Sequence, residues 1–204
     1  MLWNEAIHNN TLISKESRQK AFTNHPLSNG KLSYYGYGWQ PNDINGTPCI
    51  EHGGGIFGYT TMGIYIPGEN VYVIVLTNQT GISPDGLAVK MAALAIGKPY
   101  AEKATVTLPE AALKKWTGTY EFEKGVLRFV TFENGSLYSQ REGSNKLKLL
   151  PTGPASFNFE GVTTQYEFSE ENGKKTVLMK MRIQHSKGVE TDKKPAPEKK
   201  PVEV

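Results

Sequence analysis

Two apolar stretches rich in β-branched residues, 59–66 and 71–76, lie four residues apart in this chain. The residues between them, Pro-Gly-Glu-Asn at 67–70, favour a tight turn, so the two stretches predict an antiparallel β-hairpin. Just before the first stretch, His52 is followed by three glycines. Glycines at a strand end permit positive φ and let another molecule approach the backbone closely. We therefore expect a rigid hairpin with an exposed backbone edge beside it.

Composition limits the class of protein. The chain has 204 residues, of which 38% are hydrophobic and 21% charged, as in globular chains with one large or two small domains. The net charge of +3 is small and much of the lysine lies near the C-terminus, so no nucleic-acid partner is expected. The single cysteine, Cys49, excludes an internal disulfide. No apolar run is long enough for a membrane span, and no signal peptide is visible.

The segments around the hairpin predict short helices and one further strand. Residues 2–9 favour a helix, and Ser14 is a suitable N-cap for a second helix that ends near residue 23. Residues 34–40 favour a strand rich in aromatic residues and glycine. A third helix is expected at 84–96. Its predicted inner face consists of Leu87, Met91, Leu94 and Ala95.

The hydrophobic pattern changes after residue 97, which ends the first predicted domain, 1–97. Residues 98–115 are a predicted linker. From 116 to 191, short strands separated by turn sequences such as Glu-Asn-Gly recur every eight to twelve residues or so, a spacing that favours a small antiparallel barrel or sandwich. The tail, 192–204, is dominated by proline and charge and is expected to be disordered.

Short motifs surround the hairpin: Tyr-Gly-Tyr-Gly-Trp at 35–39, His-Gly-Gly-Gly at 52–55, Gly58, and the Leu-Thr-Asn that ends the second apolar stretch. Together they resemble the serine β-lactamase-like hydrolases, which include class C β-lactamases, D-alanyl-D-alanine carboxypeptidases and related esterases. Trp-Thr-Gly-Thr-Tyr at 116–120 is similar to the opening of lipocalin-like barrels appended to many of these hydrolases. The resemblance implies an α+β fold, with the C-terminal part of the catalytic domain followed by a small all-β barrel.

The resemblance also implies site residues. His52, Gly53 and Gly54 match the Lys-Thr-Gly or His-x-Gly triplet that lines one wall of the family's active site. His52 is expected to contact a substrate carboxylate or to help hold the acyl intermediate, and the alternative is a strand-end histidine with one backbone hydrogen bond. Gly55 matches the position whose backbone N–H forms half of the oxyanion hole, and a glycine-rich strand end or bulge is the alternative. Tyr37 and its aromatic neighbours either line a ligand cleft or pack at the rim of the core.

The family's nucleophile is not evident in this chain. Ser-x-x-Lys occurs at Ser17 and Ser28, but neither serine opens a long apolar helix, and Tyr-x-Asn does not occur. The chain is therefore interpreted as the C-terminal portion of an acyl-transferring hydrolase for amide, peptide or ester substrates, inactive when alone. In the complete protein the partner would be a small-molecule or peptide substrate. The competing hypothesis is a non-enzymatic module in which the barrel binds a ligand or partner.

Three further expectations concern cofactors, export and self-association. No cofactor is expected, and no His or Cys spacing suggests a metal site. The resemblance suggests export to the periplasm or the outside of a bacterium. The strand expected at Val71–Thr77 has no lysine, proline or inward charge to protect it as an open edge. It is expected to pair with a second copy of the chain unless residues 2–23 cover the gap.

Overall fold

The structure is a computed structural model that describes residues 2–79, 83–101, 104–123 and 125–194. The chain divides into two compact units, Met1–Ala101 and Glu102–Val204. The division falls inside the predicted linker, 98–115. Most of the predicted disordered tail, 195–204, lies outside the described residues.

The first unit contains a four-stranded antiparallel sheet whose strands lie in the order β1-β2-β3-β4. The predicted hairpin is confirmed, because β3 and β4 pair from Thr60 and Thr77 to Ile66 and Val71. Asn70 closes the connecting turn with a φ of 50°, a left-handed conformation that asparagine tolerates well. In chain order the elements are α1 (Leu2–His8), α2 (Lys15–Phe22), β1 (Gln40–Ile44), β2 (Thr47–Ile56), β3 (Tyr59–Ile66), β4 (Val71–Thr77) and α3 (Asp85–Ala95).

α3 packs on the sheet through small residues, so the predicted inner face is wrong. Its buried residues are Gly86, Ala88, Val89, Ala92 and Ala93. The predicted set is exposed, Leu94 to 67%. Small side chains let the helix come close to the apolar sheet face beneath it. Because both helical stripes are apolar, periodicity alone does not determine which one meets the sheet.

Residues 34–39 form a loop rather than the predicted strand, and β1 begins only at Gln40. Tyr34 has a φ of 52° and Gly38 a φ of 79°. Two left-handed residues within five positions bend the chain away from the extended conformation that a strand needs. The aromatic content that suggested a strand instead places several rings on one short loop.

The second unit is a closed antiparallel barrel of eight strands, preceded by α4 (Glu110–Lys114). Each strand pairs with the next in sequence, and the last strand pairs with the first. The predicted α+β fold, a partial β-lactamase-like sheet followed by a small barrel, is confirmed. The strands are β5 (Gly118–Glu123), β6 (Val126–Glu133), β7 (Ser136–Arg141), β8 (Lys146–Pro151), β9 (Ser156–Phe159), β10 (Gln165–Glu171), β11 (Lys174–Met181) and β12 (Gln184–Thr191).

Aromatic side chains fill the interior of the barrel. Tyr120, Phe157 and Tyr166 are fully buried in one cluster. Their hydroxyls are paired: Tyr120 donates to the carbonyl oxygen of Trp116 at 2.9 Å, and the Tyr166 and Ser139 hydroxyls lie 3.0 Å apart. These pairs matter because a buried polar group without a partner costs about 1–3 kcal/mol. Buried aromatic side chains with paired hydroxyls thus occupy the interior of the barrel.

Candidate active-site wall

β2 extends beyond the strand that covers its outer edge. β1 pairs with β2 from Thr47 to Glu51, whereas β3 pairs with β2 from Ile50 to Ile56. Among the described residues, 52–56 therefore have a partner strand on one side only. Alternate residues of a strand direct their N–H and C=O groups to opposite sides. This segment consequently presents unpaired backbone donors and acceptors along an open edge.

The three glycines of this edge continue β2, and none of them has the positive φ that glycine permits. A Cβ on Gly53 would lie 3.3 Å from the sulfur of Met62, and one on Gly54 would lie 3.1 Å from Oγ1 of Thr61. A Cβ on Gly55 would meet nothing closer than 3.7 Å. Glycine at the first two positions thus serves close packing within the hairpin, whereas a Cβ on Gly55 would sit at ordinary contact distance from its neighbours.

His52 begins the open edge and has an exposed side chain. Its Nε2 lies 2.7 Å from the hydroxyl of Tyr35, and the two rings meet edge to face with centroids 5.8 Å apart. His52 thus makes a side-chain hydrogen bond, whereas the alternative to a substrate-binding role had been a strand-end histidine with one backbone hydrogen bond. From the sequence, Tyr35 belonged to an aromatic group that either lines a ligand cleft or packs at the rim of the core. Its place at the start of the Tyr-Gly-Tyr-Gly-Trp motif is the only signal that pointed to it.

Tyr35 is held in place by a loop that is anchored on the end of α2. The N–H of Tyr37 donates to the carbonyl oxygen of Ala21 at 3.0 Å, and the N–H of Gly36 donates to Trp39 at 2.7 Å. The ring of Tyr37 stacks on His25 with centroids 5.0 Å apart, and it is 66% exposed. The structure therefore brings Tyr35 to His52, and directs Tyr37, the predicted substrate contact, onto a different histidine.

α1 packs on the sheet face that also carries His52. In the β2–β3 register His52 pairs with Gly63, two residues from Tyr65, so both side chains emerge on the same face. His8 lies against Tyr65 with ring centroids 3.5 Å apart, and also contacts Phe22. Burial lowers the pKa of His8, and the positive charge of Arg18 acts in the same direction. His8 is thus half-buried between the sheet and α2.

Neither candidate serine lies in a nucleophile's environment. Ser17 is exposed in the first turn of α2, where its N–H donates to the side-chain oxygen of the N-cap Ser14 at 3.2 Å. Ser28 is exposed in a turn. The N-cap role predicted for Ser14 is confirmed. In the described ranges, no three His, Cys, Asp or Glu side chains form a group that could hold a metal ion.

The chain is similar to known proteins. The sequence model of the family described as Beta-lactamase matches residues 1–98. Over these residues the chain is similar to the beta-lactamase family. Penicillin-binding protein 4* of Bacillus subtilis (strain 168) is 29% identical to the chain over 187 residues, which cover 86% of this chain and 42% of that relative. The match extends beyond the β-lactamase-like segment, since 187 residues exceed it.

The chain is also similar to solved structures. A structure of the octameric penicillin-binding protein homologue from Pyrococcus abyssi is 23% identical, covers 91% of this chain and 45% of that one, and has a TM-score of 0.46. A crystal structure of SurE with D-Leu is 16% identical, covers 89% and 47% of the two chains, and has a TM-score of 0.40. This β-lactamase-like chain thus spans less than half the length of these relatives.

Proposed function

We propose that the first unit supplies one wall of a serine acyl-hydrolase site. The observation that carries the proposal is the open edge of β2, which begins with His52 and continues through Gly53, Gly54 and Gly55. Backbone N–H groups that are fixed in a sheet and lack a partner are suited to bind a developing oxyanion. The match of residues 1–98 to the sequence model described as Beta-lactamase supports the assignment.

In the proposed reaction, a serine oxygen attacks an amide or ester carbonyl while a lysine accepts the serine's proton. The tetrahedral oxyanion is bound by the N–H of Gly55 and by a second N–H at the nucleophile. The leaving group then departs with a proton, and water hydrolyses the acyl-serine to release the acid. His52 holds an acceptor group of the substrate. Because Ser17 and Ser28 are exposed and outside any dry pocket, this chain should be inactive without a nucleophile-bearing segment.

The first test is acylation by a fluorescent penicillin. The chain alone should give no covalent adduct, and an adduct mapped to Ser17 or Ser28 would contradict the assignment. A chimera in which this chain replaces the matched segment of the Bacillus relative should be labelled. His52→Ala should reduce its labelling rate by about tenfold or more, the size of a lost hydrogen bond to a charged group. His185→Ala, on the exposed surface of the barrel, is the control.

A non-enzymatic module built on the barrel is the alternative. The interior offers it little support, because Tyr120, Phe157, Tyr166 and their neighbours occupy the space in which a ligand would lie. Isothermal titration of the chain with candidate apolar ligands should therefore show no saturable heat. Binding that Phe157→Ala strengthens would favour the module.

We also propose that β4 pairs with a second copy of the chain. β4 ends the sheet, and within the described ranges no strand pairs with its outer side. Ile74 and Leu76 are exposed on the face opposite α3, to 45% and 73%. An open apolar edge without charge tends to pair with another strand. Residues 2–23 do not add a strand to it, since they contain α1 and α2.

Light scattering tests the pairing. Leu76→Lys places a charge on the open edge strand without touching the core and should shift the chain towards monomer. Leu94→Lys adds the same charge to the exposed stripe of α3 and should leave the oligomeric state unchanged. A wild-type chain that is monomeric at high micromolar concentration would refute the pairing.

We further propose that the protein acts in the bacterial envelope, where penicillin-binding proteins meet their substrates. The support is the match to the Bacillus relative. In the portion of the chain that the structure covers, no helix has the length and apolar character needed to cross a bilayer. Cell fractionation with an antibody to the barrel would test the location.

A further inference from the structure

We propose that Tyr35 is a positioning residue that fixes the ring proton of His52 on Nδ1. The proposal deepens the function given above and rests on it for its catalytic meaning. The tautomer itself is a property of this chain that can be measured without any activity.

The geometry carries the proposal. The Tyr35 hydroxyl and His52 Nε2 are 2.7 Å apart, at the short end of the range for hydrogen bonds between side chains. Two arrangements satisfy this distance: the phenol donates to Nε2, or Nε2–H donates to the phenol oxygen. A phenol is the stronger donor and an unprotonated imidazole nitrogen the stronger acceptor, so the first arrangement is favoured. A neutral His52 then carries its proton on Nδ1.

The loop holds the phenol independently of His52. The Ser33 hydroxyl donates to the carbonyl oxygen of Tyr35 at 2.7 Å, and the N–H of Tyr34 donates to Oδ1 of Asn24 at 2.7 Å. Gly36 packs so closely on the carbonyl of Ala21 that a Cβ there would overlap it. The backbone of the loop thus fixes the position of Tyr35 without help from His52. A residue that orients another side chain must be held in place independently of it.

The consequence concerns substrate choice. The ring nitrogen that is not bound to Tyr35 becomes the donor that His52 offers at the open edge of β2. A substrate with a carboxylate or carbonyl oxygen at this point gains a hydrogen bond, whereas a substrate with an ammonium group meets another donor. Tyr35 therefore selects acyl substrates that present an acceptor, even when His52 is uncharged.

The test uses the full chain labelled with ¹⁵N-histidine, at pH about 9, where free imidazole side chains are neutral. Long-range ¹H–¹⁵N spectra distinguish a protonated from an unprotonated ring nitrogen, and His52→Gln assigns the signals. Wild-type His52 should be mainly the Nδ1–H tautomer. Tyr35→Phe should convert it to mainly Nε2–H, the form that free histidine prefers, and Tyr37→Phe should leave it unchanged. A wild-type spectrum dominated by Nε2–H would overturn the proposal, even if Tyr35→Phe fails to fold.

Two outcomes separate this inference from the proposed function. If His52 has the expected tautomer but His52→Ala leaves penicillin labelling of the chimera unchanged, the positioning stands and the catalytic role fails. If His52→Ala abolishes labelling while Tyr35→Phe alters neither tautomer nor labelling, the function stands and the positioning is refuted.

Discussion

Gly36 lies against the end of α2, where even a methyl group has no room. A Cβ at this position would overlap the carbonyl oxygen of Ala21 and lie 3.2 Å from the carbonyl oxygen of Thr23. Both obstacles are backbone atoms, which do not move aside as a side chain does. Gly36→Ala should therefore push the loop that carries Tyr35 away from α2.

The size of the effect follows from two contributions. Overpacking a close contact costs about 1–3 kcal/mol. The methyl also obstructs the hydrogen bond from the N–H of Tyr37 to Ala21, which is 3.0 Å long. Since about 1.4 kcal/mol is a factor of ten in an equilibrium constant, overpacking alone should make the loop open about 5 to 150 times more often, and the obstructed hydrogen bond adds to this factor.

Amide exchange followed by mass spectrometry measures this opening directly. A peptide covering residues 33–39 should exchange faster by that factor in Gly36→Ala. Gly68→Ala is the matched control, because a Cβ there meets nothing within 4 Å and its backbone is not in the left-handed region. Exchange in Gly36→Ala within about twofold of the wild type would refute the close contact and, with it, the placement of Tyr35.

Three further outcomes are expected. Gly188→Ala brings a methyl group 2.7 Å from the Phe122 ring and should lower the free energy of unfolding, measured in urea, by about 1–3 kcal/mol. The control Gly153→Ala, with no contact under 3.7 Å, should not lower it, and equal losses in the two variants would argue against the close packing at Gly188. Burial raises the pKa of the Tyr120 hydroxyl, so barrel stability should hold below pH about 10 and fall above it, less steeply in Tyr120→Phe, as urea midpoints would show. Burial lowers the pKa of His8, so the amides of α1 should be protected from hydrogen exchange above pH about 6.5 and should lose protection as the pH falls. Once rates are corrected for intrinsic exchange, His8→Phe should give a flat profile, and a flat profile in the wild type would contradict the prediction.

Turn chemistry explains why much of the fold was predictable. Asn134-Gly135 and Asn172-Gly173 both adopt positive φ at their two residues, as the hairpin turns of a barrel require. The same reasoning fails at Arg182, which has a φ of 50° although arginine gives no turn signal. Sequence analysis consequently does not separate β12 from β11.

The candidate site was predictable only in part, because its key contact joins distant segments. The His-Gly-Gly-Gly motif indicated a backbone edge, and the structure has an open edge at these residues. The hydrogen bond between Tyr35 and His52 depends on a loop that contains left-handed residues. The aromatic pattern of this segment had instead predicted a strand. Likewise, the sequence does not distinguish the two apolar stripes of α3. Only packing against the sheet shows that the stripe of small residues is the buried one.

Because β5 pairs with β12, the barrel cannot close until its last strand has been synthesised. A nascent chain that has reached only β11 has two open edges, one on β5 and one on β11, instead of a smaller barrel. Such edges expose a growing polypeptide to mispairing with its neighbours. The barrel can therefore close only after synthesis has reached Thr191. A chain truncated a few residues earlier would form an open sheet with two unpaired edges, which is prone to aggregation.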